Sequence, residues 1–287
     1  MKSAPQAFVI GHPIAHSRSP MLHGYWLKHY GIEGAYDMRD VAPDHLGDFF
    51  AELRAHPYAG CNVTVPHKAA AIPFLDEIDT TAKAMGAINT VYWKGDQLVG
   101  TNADAMGFMR NLDDRCPDWA EGASQAVVIG AGGAARAAVY GLLGRGLSVT
   151  LCNRTVEKAV TLANFFGGKV KGGKVKAADL AYLPDAMASA DLLVNATSAG
   201  MVHQPNLELD LSPLKASAVV CDVVYVPLET DLLKQAKTRG HRTVDGLGML
   251  LHQAVIGFEL WFGTKPEVTP ELRALIEADV RAKTPGA

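Results

Sequence analysis

Short apolar runs alternate with helix-patterned stretches along the whole of this chain, and that alternation constrains its fold more than any other feature. Residues 7–10 (Ala-Phe-Val-Ile) read as a strand closed by Gly11 and Pro13. Ser19-Pro20 then opens a helix, with Ser19 at the N-cap and Pro20 in the first turn. Strand-like segments recur at 35–41, 61–65, 88–93 and 97–100. A second series runs through 126–129, 148–152, 191–195, 218–222 and 241–244. Strands that alternate with helices predict parallel sheets covered on both faces. Two such series predict two α/β domains with a boundary near residues 104–114. The chain closes with helical patterns at 248–262 and 270–283, placed to return to the first domain, and the Gly- and Lys-rich segment 167–176 reads as a solvated loop.

A length of 287 residues suits two modest domains, and 48% hydrophobic with 20% charged residues is enough to bury their cores. The net charge of −3, with both signs mixed along the chain, gives no support to a nucleic-acid or membrane-surface partner. Cysteines at 61, 116, 152 and 221 form no CxxC pair and have no histidine cluster beside them, so no metal site is expected. Histidines 12, 16, 23 and 67 read as local structure or solvated groups. Scattered cysteines, the lack of a signal-like apolar run at the start and the lack of any ~20-residue apolar span together predict a cytoplasmic protein.

Residues 130–135 (Gly-Ala-Gly-Gly-Ala-Ala) fit G-x-G-x-x-G/A, with alanine in the last slot. The pattern alone is common, but here it follows an apolar strand and leads into a helical stretch at 134–143, which is the setting of a dinucleotide site. Glycines there let the backbone approach a pyrophosphate held by helix N-terminal N–H groups. The next strand ends in Cys152-Asn153-Arg154-Thr155, with Lys158 one turn on. An acidic residue at this place holds the ribose hydroxyl of NAD; Arg154 instead suits the 2′-phosphate of NADP, through charge-assisted hydrogen bonds.

In the first domain, polar groups interrupt apolar surroundings near strand ends: Ser17 and Ser19, Asn62 and Thr64, Asn89, and Asp104. Asn62 and Thr64, two apart, share a face if the strand continues. Singly, each has a mundane role: Ser19 an N-cap, Asn89 a turn residue, Asp104 the cap of the following helix. Together they offer hydroxyls, amides and a carboxylate, with Lys68 supplying a cation, which suits a polyhydroxylated small molecule.

The segments GHPIAHSRSP (11–20), NVTVPHK (62–68), GAINT (86–90), GAGGAAR (130–136), NRT (153–155), NATS (195–198) and DGLGML (245–250) follow one another in the order found in shikimate dehydrogenases, and the chain resembles that family over nearly its whole length. The resemblance implies an α/β fold of two domains. Residues 1–104 would form a substrate-binding and catalytic domain, 105–244 an inserted NADP-binding, Rossmann-like doubly wound parallel sheet, and 245–287 C-terminal helices returning to the first. It implies shikimate or 3-dehydroshikimate held by Ser17, Ser19, Asn62, Thr64, Asn89, Asp104, Tyr225 and Gln253, with Lys68 and Asp104 catalytic. It also implies NADP(H) held by Gly130, Ala131, Gly132, Gly133, Ala134, Asn153, Arg154, Thr155, Lys158, Val223 and Gly246, and a monomer or homodimer.

The reaction implied is the reversible NADPH-dependent reduction of 3-dehydroshikimate to shikimate, a step toward chorismate and aromatic amino acids. Lys68 would exchange the proton of the substrate oxygen, or polarise that oxygen while Asp104 shares the proton. The chain departs from the family's Asn-Thr-Asp-Gly at Asn102-Ala103-Asp104-Ala105, and Thr80 stands where an acidic residue is usual. These departures bear on substrate preference. The alternatives are a paralogue acting on quinate and a catalytically silent binding protein on the same scaffold; retention of Lys68 and Asp104 weighs against the latter.

Overall fold

The computed structural model describes residues 4–168, 170 and 173–284. The chain forms two compact units, one comprising the residues up to Ala103 together with Gln253–Ile276, the other Asp104–His252 together with the residues from Glu277.

The first unit contains β1 (Gln6–Gly11), α1 (Ser19–His29), β2 (Ala35–Asp40), α2 (Leu46–Ala55), β3 (Gly60–Val63), β4 (Glu77–Ile78), α3 (Thr80–Met85), β5 (Thr90–Lys94) and β6 (Gln97–Thr101). Its sheet has the order β2-β1-β3-β5-β6-β4. The first three strands are parallel, but β5 runs antiparallel to both β3 and β6, so this sheet is mixed where an all-parallel one was expected. The cause is local. Lys94 pairs with Gln97, leaving Gly95-Asp96 as a two-residue hairpin loop, and Gly95 takes the positive φ of 61° that such a loop requires. Phe8 and Ile10 of β1, Cys61 and Val63 of β3, and Val91 and Leu98 of the hairpin pack with Leu46, Phe49, Phe50 and Leu53 of α2.

The second unit contains α4 (Asp104–Arg115), β7 (Gln125–Ile129), α5 (Gly133–Gly144), β8 (Ser148–Cys152), α6 (Val156–Phe166), β9 (Val175–Ala178), α7 (Leu183–Ser189), β10 (Leu192–Asn195), β11 (Val219–Asp222), α8 (Asp231–Thr238) and β12 (Arg242–Val244). The sheet is wholly parallel in the order β12-β11-β10-β7-β8-β9, so the chain winds outward in both directions from β7 and β10. Strand side chains alternate between faces. Ala126 and Val128 join one core with α5 and α6 residues, and Val127 and Ile129 the other with α7 and α8 residues, which is why β7 is apolar at every one of these positions.

Two further helices complete the chain, α9 (Leu247–Phe262) and α10 (Pro270–Ala282). Leu247, Leu251, Ala254, Phe258 and Trp261 are all buried, spaced alternately four and three along α9 as one helical face demands. Within the first unit, the Trp261 indole N–H donates to Val91 O at 2.9 Å. Gly60 makes room for that bond, because a Cβ there would lie 2.4 Å from the indole nitrogen.

Several expectations need correction. Ser19 is the first residue of α1, not its N-cap, which is Arg18. Ser17 does the capping work instead, its hydroxyl oxygen accepting from the Ser19 N–H at 3.3 Å. β3 ends at Val63, short of the expected 65. Residues 169, 171 and 172 of the expected loop lie outside the described residues, and its last two positions begin β9. Among the described residues, no helix is long and apolar enough to cross a membrane.

Candidate functional site

In the first unit, the ends of β3 and β6 and the residues leading into β5 converge on a buried polar network. Asn62 is 5% exposed and Asn89 2%. The Asn62 amide N–H₂ donates to Asn89 O at 3.0 Å and to Thr90 Oγ1 at 3.2 Å. A carbonyl only accepts, so this contact fixes which end of the Asn62 amide is nitrogen. The Thr90 hydroxyl donates to Asn89 Oδ1 at 2.9 Å, which also accepts from the Ala103 N–H at 2.9 Å. Asn89 Nδ2 in turn donates to Gln253 Oε1 at 3.1 Å, bringing two expected substrate residues together across 164 positions of sequence.

Thr64 lies one residue beyond β3, yet its N–H still donates to Ile10 O at 2.9 Å, so the extended path continues past Asn62. Lys68 sits in a run of turns before a short 3-10 helix, Ile72–Phe74. His67 pins that run by bonding Val41 O through Nε2 at 2.7 Å, and Pro73, which lacks an N–H, limits its continuation. The Lys68 carbonyl accepts from the Ile88 N–H at 2.8 Å, tying the lysine's backbone next to Asn89. Ser17, Ser19, Asn62, Thr64, Lys68, Asn89 and Gln253 thus all belong to the first unit; Asp104, the first residue of α4, and Tyr225 belong to the second.

Sequence reasoning missed Tyr36, whose hydroxyl donates to Asn62 Oδ1 at 2.6 Å. Burial raises its pKa well above the ordinary value, as does Cys61, with the Ser19 hydroxyl opposing. It also passed over Thr90, although Thr90 directly follows Asn89 in the GAINT segment.

In the second unit, the glycine turn stands between β7 and α5. Gly130 adopts φ 110°, and a Cβ there would lie 3.0 Å from Ala196 O, so the turn from β7 passes close against the chain leaving β10. That is where the winding reverses, and ligands in such sheets bind in the crevice beyond the strand ends at this point. Gly132 is the N-cap of α5 and has no side-chain capping bond, while Gly132 and Gly133 have open space where a Cβ would be. A cleft of about 330 Å³ is lined here by Gly130, Ala131, Gly132, Asn153, Arg154, Thr155, Lys158 and residues 196–198. Ala135 is fully buried, fitting the close helix–strand packing of the pattern's last position.

Arg154 and Lys158 are exposed at the cleft, and Asn153 Nδ2 donates to Thr155 O at 2.8 Å to shape the turn that carries Arg154. Backbone N–H groups, an open glycine cradle and two cations fit a phosphate-bearing dinucleotide. Arg136, in the first turn of α5, lies over the Phe165 ring at 4.5 Å. Gly246 approaches Val223 so closely that a Cβ would come 2.1 Å from its carbonyl oxygen, so these two expected cofactor residues are neighbours. Thr197 and Ser198, to which the sequence pattern assigned no contact, line the cleft.

Behind the cleft, Asp222 is fully buried and accepts from Asn195 Nδ2 at 3.0 Å, Val224 N at 2.9 Å and the Thr230 hydroxyl at 2.7 Å. Burial raises its pKa, with those hydrogen bonds opposing. Asn195 Oδ1 accepts from both the N–H and the hydroxyl of Thr197, so Asp222 anchors one wall of the cleft.

Comparison with known proteins gives the chain's family. Residues 9–91 match the shikimate dehydrogenase substrate binding domain, 118–239 the shikimate / quinate 5-dehydrogenase family, and 246–275 the shikimate 5'-dehydrogenase C-terminal domain. The chain is 53% identical to a shikimate dehydrogenase (NADP(+)) of Rhodopseudomonas palustris strain HaA2, covering 96% of this chain and 97% of the relative. A shikimate 5-dehydrogenase from Thermus thermophilus, solved in complex with NADP(H) and shikimate, superposes with a TM-score of 0.83 at 34% identity over 97% of this chain and 99% of that one. A quinate dehydrogenase from Corynebacterium glutamicum in complex with NAD gives 0.89 at 32% identity, over 96% and 99%. With its glycine turn, its Asn62–Asn89 network and this agreement along nearly its full length, the chain belongs to the shikimate dehydrogenase family.

Proposed function

We propose that the protein catalyses the reversible NADP(H)-dependent interconversion of 3-dehydroshikimate and shikimate, in the pathway to chorismate. The observation that carries the cofactor assignment is the placement of exposed Arg154 and Lys158 at the same cleft as the Gly130 turn. When bound, the nicotinamide supplies or takes up the hydride. The remaining chemistry belongs to the chain. On this reading substrate is bound through Ser17, Ser19, Asn62, Thr64, Asn89, Asp104, Tyr225 and Gln253. Lys68 exchanges the proton of the substrate oxygen, assisted by Asp104. Residues 130–134, 153–155, Lys158, Val223 and Gly246 hold the dinucleotide. The reading carries with it a cytoplasmic location and a monomer or homodimer, which fractionation and sedimentation measure.

Oxidation of shikimate and of quinate, each with NADP and with NAD, tests the proposal. The expected ranking puts shikimate with NADP first. One observation favours quinate as a second substrate: Ala103 stands where the family usually has threonine, beside the Asn89 side-chain carbonyl that accepts its N–H. A kcat/KM for quinate equal to that for shikimate overturns the biosynthetic assignment.

A further inference from the structure

We infer that Tyr36 is a positioning residue for the substrate, its hydroxyl setting the orientation of Asn62. The inference rests on the proposed role of Asn62 as a substrate contact. Its basis is a one-way relay of hydrogen bonds. The Tyr36 hydroxyl donates to Asn62 Oδ1, Asn62 Nδ2 donates to Thr90 Oγ1, and the Thr90 hydroxyl donates to Asn89 Oδ1. Asn89 then passes to Gln253. Each direction is forced by the next: Asn62 Nδ2 also faces the Asn89 carbonyl, so its Oδ1 must face Tyr36, and the phenol has to be the donor. Tyr36, which itself accepts from the Ser19 hydroxyl, therefore feeds a chain that ends on two expected substrate residues.

Both amide protons of Asn62 are engaged with Asn89 O and Thr90 Oγ1, so the group offers a ligand only its carbonyl oxygen. That oxygen is the atom Tyr36 holds. An acceptor in this place suits a substrate hydroxyl. The phenol ring is itself clamped: His23 stacks on it with centroids 3.9 Å apart, and Trp261 lies 5.8 Å away. Tyr36 is 6% exposed, so the relay is shielded from water that would otherwise compete for Asn62. A phenylalanine at this position keeps the ring and its stacking and removes only the hydroxyl, which donates to Asn62 and accepts from Ser19.

The test is a double-mutant cycle on the full chain, read by steady-state shikimate oxidation with NADP. Loss of one ordering hydrogen bond predicts that Tyr36→Phe raises the shikimate KM about three- to tenfold, with kcat and the NADP KM within about twofold of wild type. In an Asn62→Ala background, or Asn62→Ser if the alanine variant does not fold, Tyr36→Phe should have a clearly smaller effect, limited to what the Ser19 hydroxyl loses with its acceptor, because its main target is gone. A shikimate KM unchanged by Tyr36→Phe, with Asn62→Ala impaired, overturns the role of Tyr36 alone. The same factor in both backgrounds also overturns it, since Tyr36 would then act independently of Asn62. An Asn62→Ala variant with wild-type KM overturns the substrate role of Asn62 and the inference with it.

Discussion

The imidazole of His23 lies flat against the phenol of Tyr36, their planes 13° from parallel and their centroids 3.9 Å apart. Phe258 stacks at 5.9 Å and Trp26 meets His23 edge-on at 5.7 Å. The ring is fully buried, and among the described residues neither nitrogen meets a partner at hydrogen-bond geometry. Burial lowers its pKa from 6.5 to about 3, and the neighbouring Asn62 side chain opposes this only in part. Between those two values the unfolded chain binds a proton that the folded chain does not. The stability this neutral histidine contributes is therefore fully present above pH 6.5 and is lost as pH falls toward about 3. A His23→Phe variant should show a flatter acid limb, with an advantage over wild type growing to at most about 3 kcal/mol near pH ~4. Urea unfolding across that range measures it. Parallel acid limbs for the two proteins would mean that His23 does not stay neutral in the fold.

Asp222 offers a test of the wall behind the cleft. Removing its carboxylate strands three donors in the interior, and each buried unpaired polar group costs about 1–3 kcal/mol. Asp222→Ala should therefore destabilise the fold by at least ~3 kcal/mol and weaken NADP binding, because Asn195 and Thr197 lose their anchor. Asp222→Asn keeps an oxygen for Asn195 and Val224 and turns an amide toward Thr230, whose hydroxyl can accept. It should cost less than half as much. Thermal unfolding checks the order, and an asparagine variant as unstable as the alanine one contradicts the hydrogen-bond account.

Much of this architecture is legible in the chain itself, for reasons that individual residues make plain. β7 stands out because both faces of its sheet are covered, so each of residues 126–129 is apolar. β9 does not, since it is an edge strand carrying Lys176 and directly preceded by Lys174, and its residues are only partly buried or exposed. β4 is two residues long and has no pattern to read. The glycine turn and Arg154 are legible because backbone approach and phosphate charge need particular residue types at a fixed spacing. Tyr36 is hidden for the opposite reason: a tyrosine in a strand is ordinary, and its bond to Asn62 spans 26 positions that only the paired strands bring together.

Lys68→Ala tests the proton role. Its backbone carbonyl, not its side chain, holds Ile88, so the substitution leaves that tie intact and the fold should persist. Loss of a general acid–base group typically removes ~10²–10⁴-fold of rate, so kcat should fall by about that factor while shikimate affinity changes less. Single-turnover hydride transfer with bound cofactor measures the step directly. Turnover within a few-fold of wild type at saturating substrate would transfer the proton role elsewhere.

Arg154 carries the cofactor prediction. It is exposed at the mouth of the cleft, one residue past the Asn153 side chain that braces the turn, and Lys158 follows on the first turn of α6. A 2′-phosphate placed there meets two cations, whereas the ribose hydroxyl of NAD meets no charge it can use. Arg154→Ala should weaken NADP binding by about ten- to a hundredfold and leave NAD binding nearly unchanged. The preference for NADP should also shrink as salt is raised, because exposed charges are screened over about 10 Å at ~0.1 M ionic strength. Arg154→Asp goes further: a carboxylate repels the phosphate and can accept from the ribose hydroxyl, so the preference should tilt toward NAD. Binding titrations with both dinucleotides at two salt concentrations separate these effects. Equal losses for NADP and NAD in Arg154→Ala would show that the arginine supports the turn rather than the phosphate.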